Sequence, residues 1–288
     1  MVQQCCVAGE IHTGTPAGRV DKVHGVDCYI AEPPAGTTPK GVIIVLPDIF
    51  GWASPNTRIL ADSYAEKGPF IVYLPEMHAG KSFPIDLLTS IHALEATGLA
   101  AAVSRAYHMA RVTAYWLPFS YANSEDTVRA RLYPFIGALR QQHAELSFGV
   151  AGFCWGGFWS FKLAHDRPED RVEVNGVKLP LVDASFAAHP SLMKIPDDIE
   201  AIVKPTSVAA AAIDARYPKE DVDRTREILE RKMQLDASVK HEVVWYPGCH
   251  HGWAVRGNPE DPKEGEAGIR AELQAMEWFA ARFAEVKR

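Results

Sequence analysis

Residues 148–157, FGVAGFCWGG, constrain the fold of this chain more than any other stretch. A β-rich apolar run leads into a small-X-Cys-X-small corner, in which Gly152 and Gly156 flank Cys154, and an amphipathic segment follows. A strand that turns sharply into a helix needs small residues at these two positions, because the backbones pack closely and the central residue is strained. The pattern predicts that Cys154 stands clear of a sheet, at a helix N-terminus that favours its thiolate.

Cysteine at such a corner also has a structural explanation, since free cysteine is among the most buried residue types. The two flanking glycines and a third at Gly157 favour a nucleophile over a core thiol. The five cysteines, at 5, 6, 28, 154 and 249, include no CxxC or CxxH pair. We therefore expect free thiols in a reducing compartment, with no disulfide framework and no metal site.

Composition and charge limit the kinds of partner and the cellular location that we expect for the chain. Of the 288 residues, 47% are hydrophobic, enough for a large core, and the net charge of −6 argues against nucleic acid as a partner. No stretch approaches the ~18 apolar residues of a membrane span, and residues 1–6 do not resemble a secretory signal. We expect one domain over residues 1–288, cytoplasmic, with no membrane partner; a homodimer stays open.

Apolar runs and helical patterns alternate along the chain. Residues 41–46 and 70–75 are predicted to be buried strands on either side of a helix from 55 to 67, which is a βαβ unit of a parallel sheet. Residues 27–31 are predicted to form an edge strand, and 171–178 an exposed connection. Other strands are predicted at 184–189, from 203, and at 242–246, and helices at 127–143 and 221–235.

Two segments carry less regular patterns. Residues 83–122 are predicted to form a helical excursion over the rim of the site, interrupted by aromatic residues and proline at 116–119. The last helix is predicted to bury one apolar stripe, formed by Ile269, Leu273, Met276, Phe283 and Val286.

Three chemically matched residues follow three predicted strands: Cys154, Asp214 and His251. In the chemistry that these residue types support, the histidine takes a proton from the nucleophile and returns it to the leaving group, while the carboxylate orients the imidazole. Nucleophile, acid and histidine in this chain order are typical of α/β-hydrolases. We predict that they form a catalytic triad, with Asp183 as the first alternative for the acid.

With these motifs in place, the chain resembles the dienelactone hydrolase family (carboxymethylenebutenolidase-like), a branch of the α/β-hydrolase superfamily, and most closely its fungal members. The matching stretches are residues 5–6, 14–18, 48–51, 74–76, 152–157, 189–191 and 251–257. The resemblance implies an α/β-hydrolase fold, which is a mostly parallel sheet with helices on both faces. It also implies a Cys-Asp-His triad that works without metal or cofactor.

The resemblance also implies roles for residues around the triad. The oxyanion hole would use the N–H groups of Trp155 and Ile49. Asp48 stands where bacterial members carry a glutamate thought to hold or gate the thiol, and its shorter side chain leaves this role open. His251 is preferred over its neighbour His250 because it precedes the Gly-aromatic pair of the family pattern.

Substrate binding or gating is assigned to Asp48, Arg256 and Trp253. Arg256 is either a solvated loop cation or a clamp for a substrate carboxylate. The predicted activity is hydrolysis of small, anionic activated esters, enol lactones or cyclic anhydrides. A thiolate is a better leaving group than most alkoxides, so the tetrahedral intermediate goes forward mainly when the leaving group is an enolate or a similar group. Two alternatives stay open: a ring-opening or decarboxylating step of a fungal secondary-metabolite pathway, and a non-catalytic ligand receptor on the same fold.

Overall fold

An eight-stranded sheet forms the centre of the computed structural model, which describes residues 14–95, 99–258 and 261–286. The strands are β1 (Arg19–Val23), β2 (Val26–Ala31), β3 (Val42–Leu46), β4 (Ile71–Pro75), β5 (Phe148–Phe153), β6 (Val172–Val174), β7 (Val177–Leu179), β8 (Ala184–Ala188), β9 (Thr206–Ile213) and β10 (His241–His250). The sheet order is β1-β2-β4-β3-β5-β8-β9-β10, and β6 and β7 form a separate hairpin. From β4 to β10 every neighbouring pair is parallel.

Helices cover both faces of this sheet. They are α1 (Pro55–Lys67), α2 (Leu87–Glu95), α3 (Leu99–Ala122), α4 (Glu125–Gln142), α5 (Trp155–Ala164), α6 (Asp197–Glu200), α7 (Lys219–Leu235), α8 (Trp253–Arg256) and α9 (Pro262–Glu285). Alternate side chains of each strand enter opposite cores, one under α1 and α9 and the other under α4 and α5. None of the helices within the described residues is long and apolar enough to cross a membrane.

The predicted strands at 41–46, 70–75 and 184–189 are confirmed, and so is the βαβ unit around α1. Apart from the half-buried Ile71 at the start of β4, the residues of these three strands are buried, which explains their mostly apolar composition. The strand predicted at 27–31, in an edge hairpin region, is β2, which forms a hairpin with the edge strand β1 and also pairs antiparallel with β4. The predicted helices at 127–143 and 221–235 correspond to α4 and α7.

The excursion after β4 contains α2 and α3, and here one local prediction is wrong. Residues 116–119 do not interrupt the helix, because α3 continues through Pro118 to Ala122. Phe119 holds this last turn in place: its ring packs 5.3 Å from that of His78 and 5.6 Å from that of Phe83, measured between centroids. Packing thus compensates for the hydrogen bond that a proline removes from a helix.

Residues 171–178, predicted to be an exposed connection, are mostly exposed and contain the short β6–β7 hairpin. One other prediction needs correction. In α9, Ile269 and Leu273 are exposed, at 59% and 43%. The buried face is formed instead by Ala267, Ala271, Ala275, Met276, Trp278, Phe279 and Phe283. Small alanines bring the helix close to the sheet, and larger side chains at their positions would hold it away.

Candidate active site

Cys154 lies at the corner between β5 and α5, in a backbone conformation that few non-glycine residues adopt. Its φ is 54° and its ψ is −112°, and three backbone hydrogen bonds hold it. The Cys154 N–H donates to the carbonyl of Ala188 at 3.1 Å, and the carbonyl of Cys154 accepts the N–H groups of Gly157 at 3.0 Å and Ser191 at 3.2 Å. A Cβ at Gly156 would collide with the carbonyl of Leu46, which explains the glycine. The corner places the sulfur at the carboxyl edge of the sheet, in a buried cavity.

His251 follows β10 and meets Asp214, which follows β9, at the same edge. The His251 Nδ1 and the Asp214 Oδ2 are 2.7 Å apart, and both side chains are buried. His250 faces elsewhere: its Nε2 is 2.9 Å from Glu264 Oε1, and its Nδ1 donates to the carbonyl of His251. Of the two adjacent histidines, His251 is therefore the one that contacts the acid.

Electrostatic coupling links Cys154 to His251. Burial alone would raise the pKa of Cys154, but the charge and hydrogen bond of His251, the Ser191 hydroxyl 3.6 Å away and the charge of Arg216 lower it below the usual value. Burial likewise disfavours protonated His251, yet Cys154 and Asp214 raise its pKa to about 10. The arrangement favours a thiolate and imidazolium ion pair.

Trp155 and Ile49, the residues predicted to supply the oxyanion hole, both line the cavity that holds Cys154. Trp155 is the first residue of α5, and Ile49 belongs to the loop after β3. Within the described residues neither backbone N–H donates a hydrogen bond to the protein. Their role as an oxyanion hole stays a prediction.

Asp48 and Arg256 form a buried ion pair in the cavity wall. The other carboxylate oxygen of Asp48 accepts the N–H of Phe50 at 2.9 Å, and the guanidinium of Arg256 lies 4.9 Å from the Phe50 ring centroid. Burial lowers the pKa of Arg256 to about 10, so it remains charged at neutral pH. Asp48 thus contacts Arg256 and its own loop rather than Cys154. The structure brings both residues to the cavity, and the carboxylate clamp stays a prediction.

Trp253 is not brought into the cavity, in contrast to the prediction. As the first residue of α8 it is 1% exposed, and its ring packs against those of His189 and Tyr246, at centroid distances of 5.4 and 5.0 Å. The tryptophan supports the histidine loop from the core side, because His189 in turn lies edge-on to His251 at 5.0 Å.

The whole cavity has a volume of about 120 Å³, and the rest of its lining is mostly apolar. Its roof comes from α2 and α3 and the loop before them, through Phe83, Ile91, Leu94, Val112 and Trp116. The sequence predicts that the segment carrying these residues covers the rim of the site, without naming them individually. It assigns no role to Ser191, Leu192 and Arg216, which also line the cavity. The available signal was position, since Ser191 and Arg216 each lie three residues beyond the end of a strand, β8 and β9 respectively.

Two further predictions concern the N-terminal cysteines and a metal site. Cys5 and Cys6, part of the resemblance, lie outside the described residues. In the part of the chain that is described, no three His, Cys, Asp or Glu side chains are grouped to hold a metal ion.

Comparisons with known proteins relate the whole chain to one family. The model of the dienelactone hydrolase family matches residues 26–283. Hydrolase tropI from Talaromyces stipitatus is 28% identical over 277 residues, covering 96% of this chain and 95% of that protein. Dienlactone hydrolase 1 from Gibberella moniliformis is 26% identical, covering 90% of this chain and 86% of that protein.

A solved structure shows the same architecture. The crystal structure of a dienelactone hydrolase from Anabaena variabilis superimposes with a TM-score of 0.57 at 16% identity, covering 94% of this chain and 99% of that one. Together with the mostly parallel sheet and its two helical layers, this confirms the predicted α/β-hydrolase fold.

Proposed function

Since the chain belongs to the dienelactone hydrolase family and is a carboxylic ester hydrolase, we propose that it cleaves small activated esters, enol lactones or cyclic anhydrides with Cys154 as nucleophile. One observation carries this proposal: Cys154 and His251 line one cavity, and His251 contacts Asp214 behind it at 2.7 Å. This arrangement supports a triad in which Asp214 fixes the tautomer of His251 and stabilises its protonated form.

In the proposed reaction, the Cys154 thiolate attacks the carbonyl carbon and the N–H groups of Trp155 and Ile49 stabilise the oxyanion. The tetrahedral intermediate collapses to a thioester and expels the leaving oxygen, which takes the proton of imidazolium His251. Neutral His251 then removes a proton from water, whose oxygen attacks the thioester. The carboxylic acid leaves, and the thiolate and imidazolium are restored.

Leaving-group chemistry supports the choice of substrate. A thiolate is a better leaving group than most alkoxides, so an alkyl ester intermediate would return to starting material. An enolate, a phenolate or a carboxylate departs readily enough for the intermediate to go forward. The cavity of about 120 Å³ under an apolar roof supports a small substrate.

Replacing the nucleophile tests the proposal. Cys154→Ala is expected to abolish turnover of an enol lactone while leaving the circular dichroism spectrum unchanged. Iodoacetamide at neutral pH is expected to inactivate the wild type and to alkylate Cys154, as mapped by peptide mass spectrometry, because the thiolate is the reactive form. Near-wild-type turnover by the alanine variant would refute a covalent role for Cys154.

Cys249 supplies a matched control, because it lies two residues before His251. Burial raises its pKa to about 12, and the same holds for Cys28, so neither is expected to react at neutral pH. Cys249→Ala is expected to keep wild-type turnover and wild-type sensitivity to iodoacetamide.

A further inference from the structure

One side of helix α3 is apolar and faces solvent. Tyr107, Ala110, Ala114, Leu117 and Tyr121 are all exposed, Tyr107 and Leu117 at 62% and Tyr121 at 89%. They recur at spacings of three and four residues, so they form one stripe along the helix, which we call the outer face of α3. A monomeric protein rarely exposes a large contiguous apolar patch.

The opposite side of the same helix is already packed. Val112, Trp116 and Phe119 belong to the core under α4 and α5, and Val112 and Trp116 line the cavity that holds Cys154. These contacts explain why the inner side of α3 is apolar. They do not explain the outer face, since its exposed fractions show that no element within the described residues covers it.

The outer face carries no charge. Residues 96–124 contain no Asp or Glu, and Arg105 and Arg111 are their only Lys or Arg residues. Arg105 precedes Val112 by seven residues and so lies on the inner side, while Arg111 pairs with Asp86 at 2.9 Å. In a chain with a net charge of −6, an uncharged face is where a second copy can approach with least repulsion.

The outer face also matches a reversed copy of itself. Counted from residue 112, Ala110 and Ala114 lie two positions to either side, and Tyr107 and Leu117 lie five positions to either side. In two antiparallel copies of α3 that cross at residue 112, Ala110 therefore meets Ala114 of the second copy, and Tyr107 meets Leu117. The alanines let the helix axes approach closely, and the larger side chains fill the space beyond the crossing.

The area of this face is sufficient for a dimer. From their exposed fractions, Tyr107, Leu117 and Tyr121 offer about 400 Å² of side-chain surface. The two alanines and the exposed residues beside them raise the area to about 600 Å² per copy. Two copies would then bury about 1,200 Å², which is the lower end of the range for specific protein interfaces.

We propose that the outer face of α3 is the interface of a homodimer, in which two copies of the helix pack antiparallel about a twofold axis at residue 112. The sequence leaves a homodimer open, and this proposal assigns its interface. It does not depend on the proposed catalytic function. Because the inner side of α3 roofs the cavity, the second copy would also hold that roof in place.

Gel filtration with light scattering tests the proposal on the full chain at micromolar concentration. The wild type is expected to have twice the chain mass of 31.7 kDa. Leu117→Arg places an unpaired charge in the interface and is expected to halve that mass. Its circular dichroism spectrum is expected to stay that of the wild type, because Leu117 is exposed in the single chain.

Leu235→Arg is the matched control. Leu235 is 82% exposed at the end of α7, outside the proposed interface, and this variant is expected to keep the mass of the dimer. A wild type with the mass of one chain, or a Leu117→Arg variant that stays dimeric, would overturn the proposal.

Mixing two variants tests the antiparallel register. Tyr107→Lys and Leu117→Glu are each expected to be monomeric alone, because each places a charge opposite an apolar side chain. In an equimolar mixture the lysine of one variant faces the glutamate of the other, so the mixture is expected to recover dimer. A mixture that stays monomeric would refute the antiparallel packing.

A lipid surface is the other candidate for an uncharged apolar face, and flotation with phosphatidylcholine vesicles separates the two. The dimeric wild type is expected to stay in the protein fraction. A monomeric wild type that floats with the vesicles, and loses this property in Leu117→Arg, would assign the outer face to a membrane and overturn the proposal. None of these measurements uses turnover, so their outcome is independent of the hydrolase reaction.

Discussion

Asp214 uses both carboxylate oxygens, and each fixes a different part of the site. One bonds the His251 imidazole and the other holds the turn that carries Arg216. Asp214→Asn keeps the size of the side chain but presents an amide that favours the wrong tautomer of His251. We expect kcat to fall by about 10²- to 10⁴-fold, as expected for triads whose acid is replaced in this way, measured on an enol lactone in steady state.

Asp183 is the matched control for this prediction, because the sequence left it as the alternative acid. It forms a bidentate ion pair with Arg140, at 2.7 and 2.8 Å, and accepts the N–H of Phe148 at the start of β5. It thus lies at the opposite end of the strand from Cys154. Asp183→Asn is expected to lower stability but to leave kcat of the folded protein near wild type. A larger loss of kcat in Asp183→Asn than in Asp214→Asn would reverse the assignment.

At the residue scale, the sequence predicts which groups follow strands, and it predicts less well how those groups pair. Cys154, Asp214 and His251 could be selected because each follows a strand in a parallel sheet. The pairing of Arg256 with Asp48 joins positions 208 residues apart, and no local pattern encodes it.

At the element scale, the corner between β5 and α5 depends on glycines that touch backbone. A Cβ at Gly152 would meet the carbonyl of Gly156, and one at Gly156 would meet the carbonyl of Leu46. Because backbone cannot move aside, we expect Gly156→Ala to lower the free energy of unfolding by about 1–3 kcal/mol or more. Urea unfolding followed by tryptophan fluorescence measures this loss.

Gly137 in α4 provides the opposite case. A Cβ there would lie 3.5 Å from Val172 Cγ2, an ordinary contact. Gly137→Ala is expected to stabilise the protein by up to about 0.5–1 kcal/mol, since alanine loses less backbone entropy in a helix. If Gly156→Ala were as stable as Gly137→Ala, close packing would not be the reason for the glycine at the corner.

The predictability of the elements follows from how many of their faces are buried. β3, β4 and β8 are buried on both faces, so composition alone identifies them. Part of the face of α9 is wrong in the prediction because large side chains were weighted over alanines, although Ala271 and Ala275 belong to the buried core together with Phe279. The helix break predicted at Pro118 is wrong for a similar reason, because the tertiary packing of Phe119 outweighs the local cost of a proline inside a helix.

For the whole molecule, buried histidines couple stability to pH. Burial is the main cause that lowers the pKa of His78 to about 3, that of His241 to about 4 and that of His189 well below its usual value. In the unfolded chain these histidines bind protons near pH 6.5, whereas in the native protein they do not. Between these values the unfolded state holds more protons, so stability is lost as the pH falls from 6.5.

His241 gives the sharpest measurement of this coupling, because it lies at the start of β10, away from the triad histidine at the end of that strand. Each such histidine lowers the free energy of unfolding by about 1.4 kcal/mol for each pH unit below 6.5. His241 therefore removes about 2 kcal/mol of stability between pH 7.5 and 5.0. The free energy of unfolding in urea is measured at both pH values. Its decrease from pH 7.5 to pH 5.0 is expected to be about 2 kcal/mol smaller in His241→Gln than in the wild type. The control is His24→Gln, which removes an exposed histidine of the β1–β2 hairpin and is expected to keep the wild-type difference. An unchanged difference in His241→Gln would mean that His241 takes up its proton in the native state, since only a histidine that stays neutral there destabilises the protein in acid.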